Sequence, residues 1–217
     1  MSFVTFLDRG DAGRRLAPLL EHLRGAHPVV LGLPRGGVPV AAEIANALGA
    51  PLDVVVVRKL GTPFQPELGL GAIGEHGIRV LNEELVTETR TTPAELESVE
   101  RRERAELERR VHRYRGDRPA VPVAGRTALL VDDGIATGST ARAACLIVRA
   151  QGASRVVLAV PVAPRDIRTT LADAADELVC AETPTYFAAI GQFYADFSQT
   201  TDAEVLSCLH HASARRP

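Results

Sequence analysis

The chain has 217 residues, 46% of them apolar and 24% charged; that composition allows one globular domain with a sizeable core and excludes disorder as the default. Twenty-five basic residues face 27 acidic ones, for a net charge of −2. General nucleic-acid binders and proteins of anionic membrane surfaces usually carry a basic surplus, so neither role is favoured. Only one of the 25 basic residues is a lysine, Lys59, and five aromatic residues (Tyr186, Phe187, Phe193, Tyr194, Phe197) share one twelve-residue window.

The elements alternate in type along the chain. Leu16, Leu19, Leu20 and Leu23 recur at helical spacing and predict a helix over 12–24, with Asp11 as its N-cap. VVLGL (29–33) reads as a short buried strand, PRGG follows, and a helix runs from about Val38 to Leu48, ended by Gly49. DVVVV (53–57) is a second strand suited to burial on both faces. LGLGAIGEHGIRVL (68–81) alternates and carries a Gly-rich turn, which predicts a β-hairpin. Its Gly69-Leu70-Gly71-Ala72-Ile73-Gly74 matches a dinucleotide fingerprint literally, but no buried strand precedes it and Gly77 comes too soon for a helix.

Thr92 to about Tyr114 is a charged helix opened by a capping box, Thr92-Pro93-Ala94-Glu95, with Glu97–Arg101, Glu100–Arg104 and Glu106–Arg110 at pairing distance. Its narrow apolar stripe (Leu96, Val99, Leu107, Val111, Tyr114) suits a solvated helix lying on the domain or at a contact between two copies. TALLV (127–131), VVLAV (156–160) and ELVCA (177–181) are three further strands, with helices expected over 140–151 and 165–175. Residues 182–200 are irregular and aromatic, and a last helix starts near Thr201, where Thr201 and Glu204 form another capping box. Strands separated by helices imply a parallel sheet covered on both sides, hence an α/β fold.

Cys145, Cys180 and Cys208 are widely spaced in apolar contexts and read as free thiols of a reducing compartment. His210-His211 reads as a solvated helix end. MSFVTFLDRG lacks the order of a signal peptide, and no apolar run reaches the ~18 residues of a membrane span, so a cytoplasmic protein is expected.

The most specific stretch is ALLVDDGIATGSTARAA (128–144). Asp132 and Asp133 close a strand, where ligands bind in open α/β sheets and where carboxylates can accept hydrogen bonds from vicinal sugar hydroxyls. Ala136, Thr137, Gly138, Ser139 and Thr140 then open a helix, offering free amides and hydroxyls to an anion.

This segment resembles the phosphoribosyl-diphosphate motif of the type I phosphoribosyltransferases: a hydrophobic strand, two acidic residues, a short spacer, then Thr-Gly-x-Thr/Ser. The resemblance implies a three-layer parallel-sheet fold with a hairpin and helix insertion (59–126), a core over 1–182, a hood at 183–200 and a terminal helix at 201–213, all within one domain, 1–217. It implies ribose binding by Asp132 and Asp133, 5-phosphate binding by 136–140, and a pyrophosphate loop at Pro34, Arg35, Gly36 and Gly37. Arg35, Arg58 and Lys59 would stabilise leaving charge, and the 61–82 hairpin would close over the reaction. Mg2+ would arrive with the substrates rather than on dedicated protein ligands. The expected activity is transfer of the phosphoribosyl group to a nitrogenous base with release of pyrophosphate; the alternative is a regulatory protein that binds phosphoribosyl diphosphate without catalysis. Tyr186, Phe187, Phe193 and Tyr194 are candidates to stack on the base or to pin the hood, and Gln192 is a candidate polar reader. Enzymes of the 6-oxopurine subclass have an Asp where this chain has Ala136, and a hood lysine that it lacks. The chain therefore resembles a separate bacterial group, nearer the orotate and adenine enzymes in its motif.

Overall fold

The computed structural model describes residues 5–62 and 69–214. Its elements are α1 (Arg9–Leu16), a 3-10 segment (Ala17–Ala26), β1 (Val29–Gly32), α2 (Gly37–Leu48), β2 (Leu52–Val54), β3 (Arg58–Gly61), β4 (Gly69–Ile73), a short 3-10 turn (Glu75–Gly77) and β5 (Arg79–Leu81). They continue with α3 (Glu83–Glu88), α4 (Pro93–Arg115), β6 (Thr127–Val131), α5 (Ser139–Ala150), β7 (Arg155–Val162), α6 (Ile167–Thr170), β8 (Glu177–Glu182), a 3-10 turn (Ile190–Phe193) and α7 (Asp202–Ala214).

Five parallel strands form the main sheet in the order β2-β1-β6-β7-β8. Successive side chains on a strand point to opposite faces. Val30, Leu129, Val131 and Val157 therefore pack with α1, α2, the 17–26 segment and α7, while Leu31, Leu130, Val156 and Leu158 pack with α5 and α6. Every residue of β1 and β6 is buried, which explains why these runs are apolar without alternation. The result is a three-layer sandwich.

The first helix differs from expectation. Asp8, not Asp11, caps α1 by accepting from the Asp11 amide. The α-helix stops at Leu16, and Pro18 opens a 3-10 segment that carries Leu20 and Leu23 to the core. The helix expected over 165–175 shrinks to the single turn α6. The expected hairpin is a three-stranded antiparallel sheet, β3-β4-β5; its 63–68 segment lies outside the described residues. Arg58 and Lys59 begin this small sheet rather than ending the second core strand.

The charged helix α4 forms as the sequence predicts. Both halves of the Thr92–Glu95 capping box are present, as are the Glu97–Arg101, Glu100–Arg104 and Glu106–Arg110 pairs. Leu96, Val99, Leu107 and Tyr114 are buried against β3, β4 and the start of α7. Its last residue, Arg115, is 7% exposed and reaches two carboxylates, Asp53 of β2 and Glu75 of the turn between β4 and β5, as well as the Val54 carbonyl. This buried triad ties the insertion to the main sheet.

Removing the cation of a buried ion network leaves uncompensated charge, which costs about 3–5 kcal/mol. Arg115→Met should lower the unfolding free energy in urea by that order, whereas Arg101→Ala on the exposed face of α4 should stay within about 0.5 kcal/mol. Equal effects of the two substitutions would show that the triad does not tie the insertion down.

Candidate functional site

Because β1 and β6 are hydrogen-bonded neighbours, the loops leaving their carboxyl ends meet. Leu33 N–H donates to the Val131 carbonyl at 2.9 Å, which sets the 34–37 turn beside Asp132 and Asp133. A Cβ on Gly36 would collide with the Asp133 carboxylate, and one on Gly37 with the Val131 carbonyl; only glycine permits this approach. The Pro34–Arg35 peptide is cis.

The two carboxylates sit in different electrostatic settings. Burial pushes the Asp132 carboxyl well above its usual range, and the adjacent Asp133 charge pushes it the same way. Its Oδ1 accepts from the Asp133 amide at 2.9 Å. The Asp133 carboxylate is paired with Arg9 Nε at 2.7 Å, both side chains being 13% exposed. Arg9 also donates to the Ser198 carbonyl at 2.8 Å and lies 4.2 Å over the Phe197 ring. Tyr194 donates its hydroxyl proton to the Asp133 carbonyl at 2.7 Å, and burial, then the Asp133 charge, holds that hydroxyl protonated. Arg9 and the Tyr194 contact are site features that sequence reasoning missed: Arg9 is 124 positions from Asp133 and belongs to no motif.

The next loop leads into α5 with Gly138 at φ +78°, a left-handed conformation suited to glycine. No side chain caps α5, so its first amides are available to a ligand. Ala136, Thr137, Ser139 and Thr140 are exposed around it. Thr137 Oγ1 and Ser139 Oγ are 3.3 Å apart, and Lys59 Nζ donates to Ser139 Oγ at 3.3 Å. Lys59 thus adds its charge to this loop.

Arg58 points away from Lys59. It turns to α4 and forms two hydrogen bonds with Glu103, at 2.8 and 2.6 Å. The reason is local: consecutive residues of a strand project to opposite faces, so the basic dipeptide is divided between two neighbours. Arg35 likewise lines a cavity with α4 and the start of α7.

The expected hood is held from an unforeseen direction. Phe6 bridges Tyr194 in parallel, and the amides of Thr5 and Phe6 both donate to the Phe193 carbonyl. Phe6, Phe193 and Tyr194 are buried, and Tyr194 also packs on Phe197 at 4.9 Å. Phe193 and Tyr194 therefore pin the segment rather than face a ligand. Phe187 stacks on Phe193 at 5.6 Å, while Tyr186 is 86% exposed. Gln192 donates to the Tyr186 carbonyl.

Among the described residues no group of three or more His, Cys, Asp or Glu side chains could hold a metal. Two adjacent carboxylates, one already paired with Arg9, suit a hard cation that brings most of its oxygen ligands from phosphate, sugar and water. Cys145 is buried, Cys180 and Cys208 are half-buried, and all three are free thiols. Burial pushes the Cys145 thiol up to about 12 and the Cys180 thiol to about 11, so neither is a ready nucleophile. No described helix is long and apolar enough to cross a membrane.

The chain is similar to known proteins. A sequence profile of the phosphoribosyl transferase domain matches residues 10–198. The Mycobacterium tuberculosis protein Rv0571c, which bears a provisional phosphoribosyl transferase name, is 58% identical over 207 residues, 95% of this chain and 47% of its own length. The counterpart in strain CDC 1551, MT0597, matches to the same extent. The chain thus spans about half the length of these curated relatives. The crystal structure of TT1426 from Thermus thermophilus superposes with a TM-score of 0.87 at 46% identity, covering 95% of this chain and 98% of that one. With the profile spanning most of its length, the chain belongs to the phosphoribosyl transferase domain family.

Proposed function

We propose that the domain binds phosphoribosyl diphosphate and transfers its phosphoribosyl group to a nitrogenous acceptor, releasing diphosphate. One observation supports this above all: paired carboxylates at the end of β6 lead directly into an uncapped helix N-terminus, with the glycine turn of β1 pressed against them. Carboxylates suit the ribose hydroxyls, and free amides backed by the helix dipole suit the 5-phosphate.

In this reading Asp132 and Asp133 orient the sugar, and the ion pair with Arg9 fixes the Asp133 carboxylate in place. Thr137, Ser139, Thr140 and the nearby amides hold the 5-phosphate, with Lys59 adding charge. The 34–37 turn brings its backbone to the diphosphate. Mg2+, carried by the diphosphate and sugar hydroxyls, would offset the leaving charge. The protein's own contribution is positioning and preorganised electrostatics; no protein nucleophile is required. The acceptor would enter beside Tyr186, which is exposed, and Phe187, which is only partly buried. Ala136 and the lack of a hood lysine argue against a 6-oxopurine acceptor.

A second reading, binding without transfer, draws support from Arg58. Its pairing with Glu103 leaves one fewer cation for a leaving group. Diphosphate release with a panel of nucleobases separates the two: turnover with any base supports transfer, and tight binding without turnover supports a sensor.

Three outcomes are expected. Asp132→Asn/Asp133→Asn should weaken calorimetric binding of phosphoribosyl diphosphate at least about tenfold, on the scale of charge-assisted hydrogen bonds of ~1.5–3 kcal/mol; undiminished binding would remove the site. Lys59→Ala should weaken ribose 5-phosphate binding, with partial recovery in Lys59→Arg; equal affinity in all three proteins would take Lys59 out of the loop. Asp132→Asn alone should raise stability. The folded state keeps the Asp132 proton to higher pH than the unfolded chain does, so stability falls as pH rises out of the usual carboxylate range. The Asn protein should therefore melt about 2–4 °C higher at pH 7, or about 1 kcal/mol in a domain of this size, and the gain should vanish below about pH 4. A lower Tm at pH 7 would contradict the electrostatic account.

A further inference from the structure

The aromatic segment before α7 is attached to the amino-terminal residues by backbone hydrogen bonds. The amides of Thr5 and Phe6 donate to the Phe193 carbonyl, and those of Ala195 and Asp196 donate back to the carbonyls of Phe6 and Leu7. Residues 5–7 thus lie as a strap along 193–196, with the rings of Phe6, Phe193 and Tyr194 buried beneath it. No charged side chain takes part in these contacts.

Two residues beyond the strap, Arg9 brings a charge to the same place. Its Nε donates to Asp133 Oδ2 at 2.7 Å, its Nη1 donates to the Ser198 carbonyl at 2.8 Å, and its guanidinium carbon lies 4.2 Å over the Phe197 ring. A Cβ on Gly36 would lie 3.0 Å from Arg9 Nε, so the 34–37 turn abuts the same group. One guanidinium therefore meets three stretches of chain that are remote in sequence. A second route runs parallel to it. The Tyr194 hydroxyl donates to the Asp133 carbonyl at 2.7 Å, and Ile190 packs so closely on Gly134 that a Cβ there would collide with it. Asp133 is thus tied to the segment twice, through its carboxylate by way of Arg9 and through its carbonyl.

The ion pair offers position more than stability. Both side chains are 13% exposed, and the desolvation of such a pair offsets much of its attraction. Arg9 bonds Oδ2 only, which leaves Oδ1 outside the ion pair and able to accept from a sugar hydroxyl. A sugar at Oδ1 adds to the network without displacing Arg9. Once one partner has ordered the carboxylate, the other loses less conformational entropy in joining it, so the two contacts favour each other.

We infer that Arg9 is a positioning residue that couples the Asp133 carboxylate to residues 190–198: a sugar held by Asp133 steadies that segment, and the segment steadies the carboxylate for the sugar. Linkage makes the effect equal in both directions. The inference rests on the reading that Asp133 meets the sugar. It goes further in joining donor binding to the order of the segment beside which the acceptor is proposed to enter.

Hydrogen exchange of the full chain, with and without saturating ribose 5-phosphate, tests it. The amides of Ala195 and Asp196 are the reporters, because their bonds hold the segment to the strap. In wild type the ligand should slow their exchange at least about fivefold, the lower end of ordinary coupling between sites. Arg9→Met should bind ribose 5-phosphate within about tenfold of wild type by calorimetry, yet at saturation the slowing should fall below about twofold. Arg9→Lys keeps a cation for Asp133 but lacks the planar fork that reaches Ser198 at the same time; it should recover affinity without recovering the slowing. Arg14→Met, a control on α1 whose partner is Glu43, should keep the wild-type ratio of free to bound exchange. Melting curves establish that each variant is folded; if Arg9→Met is not, Phe197→Leu removes the ring under the guanidinium, leaves the Asp133 pair and serves instead, with the slowing reduced at least about twofold. An Arg9 that only held the fold together would speed exchange in free and bound protein alike; an unchanged ratio in Arg9→Met, or an equal loss in the Arg14→Met control, would overturn the inference. Ribose 5-phosphate that binds wild type without slowing exchange would overturn the inference alone, whereas no binding to wild type would overturn the ribose reading and the inference with it.

Discussion

Two carboxylates side by side at the end of a buried strand repel each other, and much of the surrounding structure answers that repulsion. Asp132 is held in a setting that disfavours its charge, while the Asp133 carboxylate is paired with Arg9. The Arg9 guanidinium extends the tie to the Ser198 carbonyl and the Phe197 ring, and Tyr194 grips the Asp133 backbone. Through Asp133 alone, α1, the β6 loop and the aromatic segment before α7 become one unit. Such an arrangement costs the fold stability, the trade expected where a function is proposed.

The arginines are distributed with the same economy. Lys59 reaches Ser139 at the start of α5 while its neighbour Arg58 turns to Glu103. Arg115 is buried between Asp53 and Glu75, where it secures the insertion. Arg109, Arg110 and Arg113 stand within two turns before it on the same helix and line a cavity with the 34–37 turn. One helix thereby serves as a structural clamp at its end and as a cationic wall just before it.

What could be read from the sequence was local. The strand, Asp132-Asp133, the glycine–hydroxyl loop and α5 are contiguous, so their chemistry survives without tertiary information. The capping boxes of α4 and α7 are four-residue patterns, and both form. The parallel sheet followed from runs of β-branched residues separated by helical spacing. What could not be read was long-range. Nothing in the sequence marks Arg9 as a partner of Asp133, or Thr5 and Phe6 as the strap on the Phe193 carbonyl. Pairing across more than a hundred residues depends on how the layers close, not on local propensity. The divergence of Arg58 towards Glu103 and of Lys59 towards Ser139 could not be read either, because strand geometry separates neighbours. The 12–24 and 165–175 helices were overestimated because apolar spacing does not distinguish an α-helix from the tighter or shorter turns that place the same side chains in the core.

The central claim is that one ligand spans the end of β6, with its sugar on the carboxylates and its phosphate on α5. A crystal structure of the protein with phosphoribosyl diphosphate and Mg2+ tests it directly. The account predicts the 5-phosphate against the amides and hydroxyls of residues 137–140, with the ribose hydroxyls accepted by Asp132 and Asp133. Density for the phosphate elsewhere, or a sugar that makes no contact with either carboxylate, would contradict it.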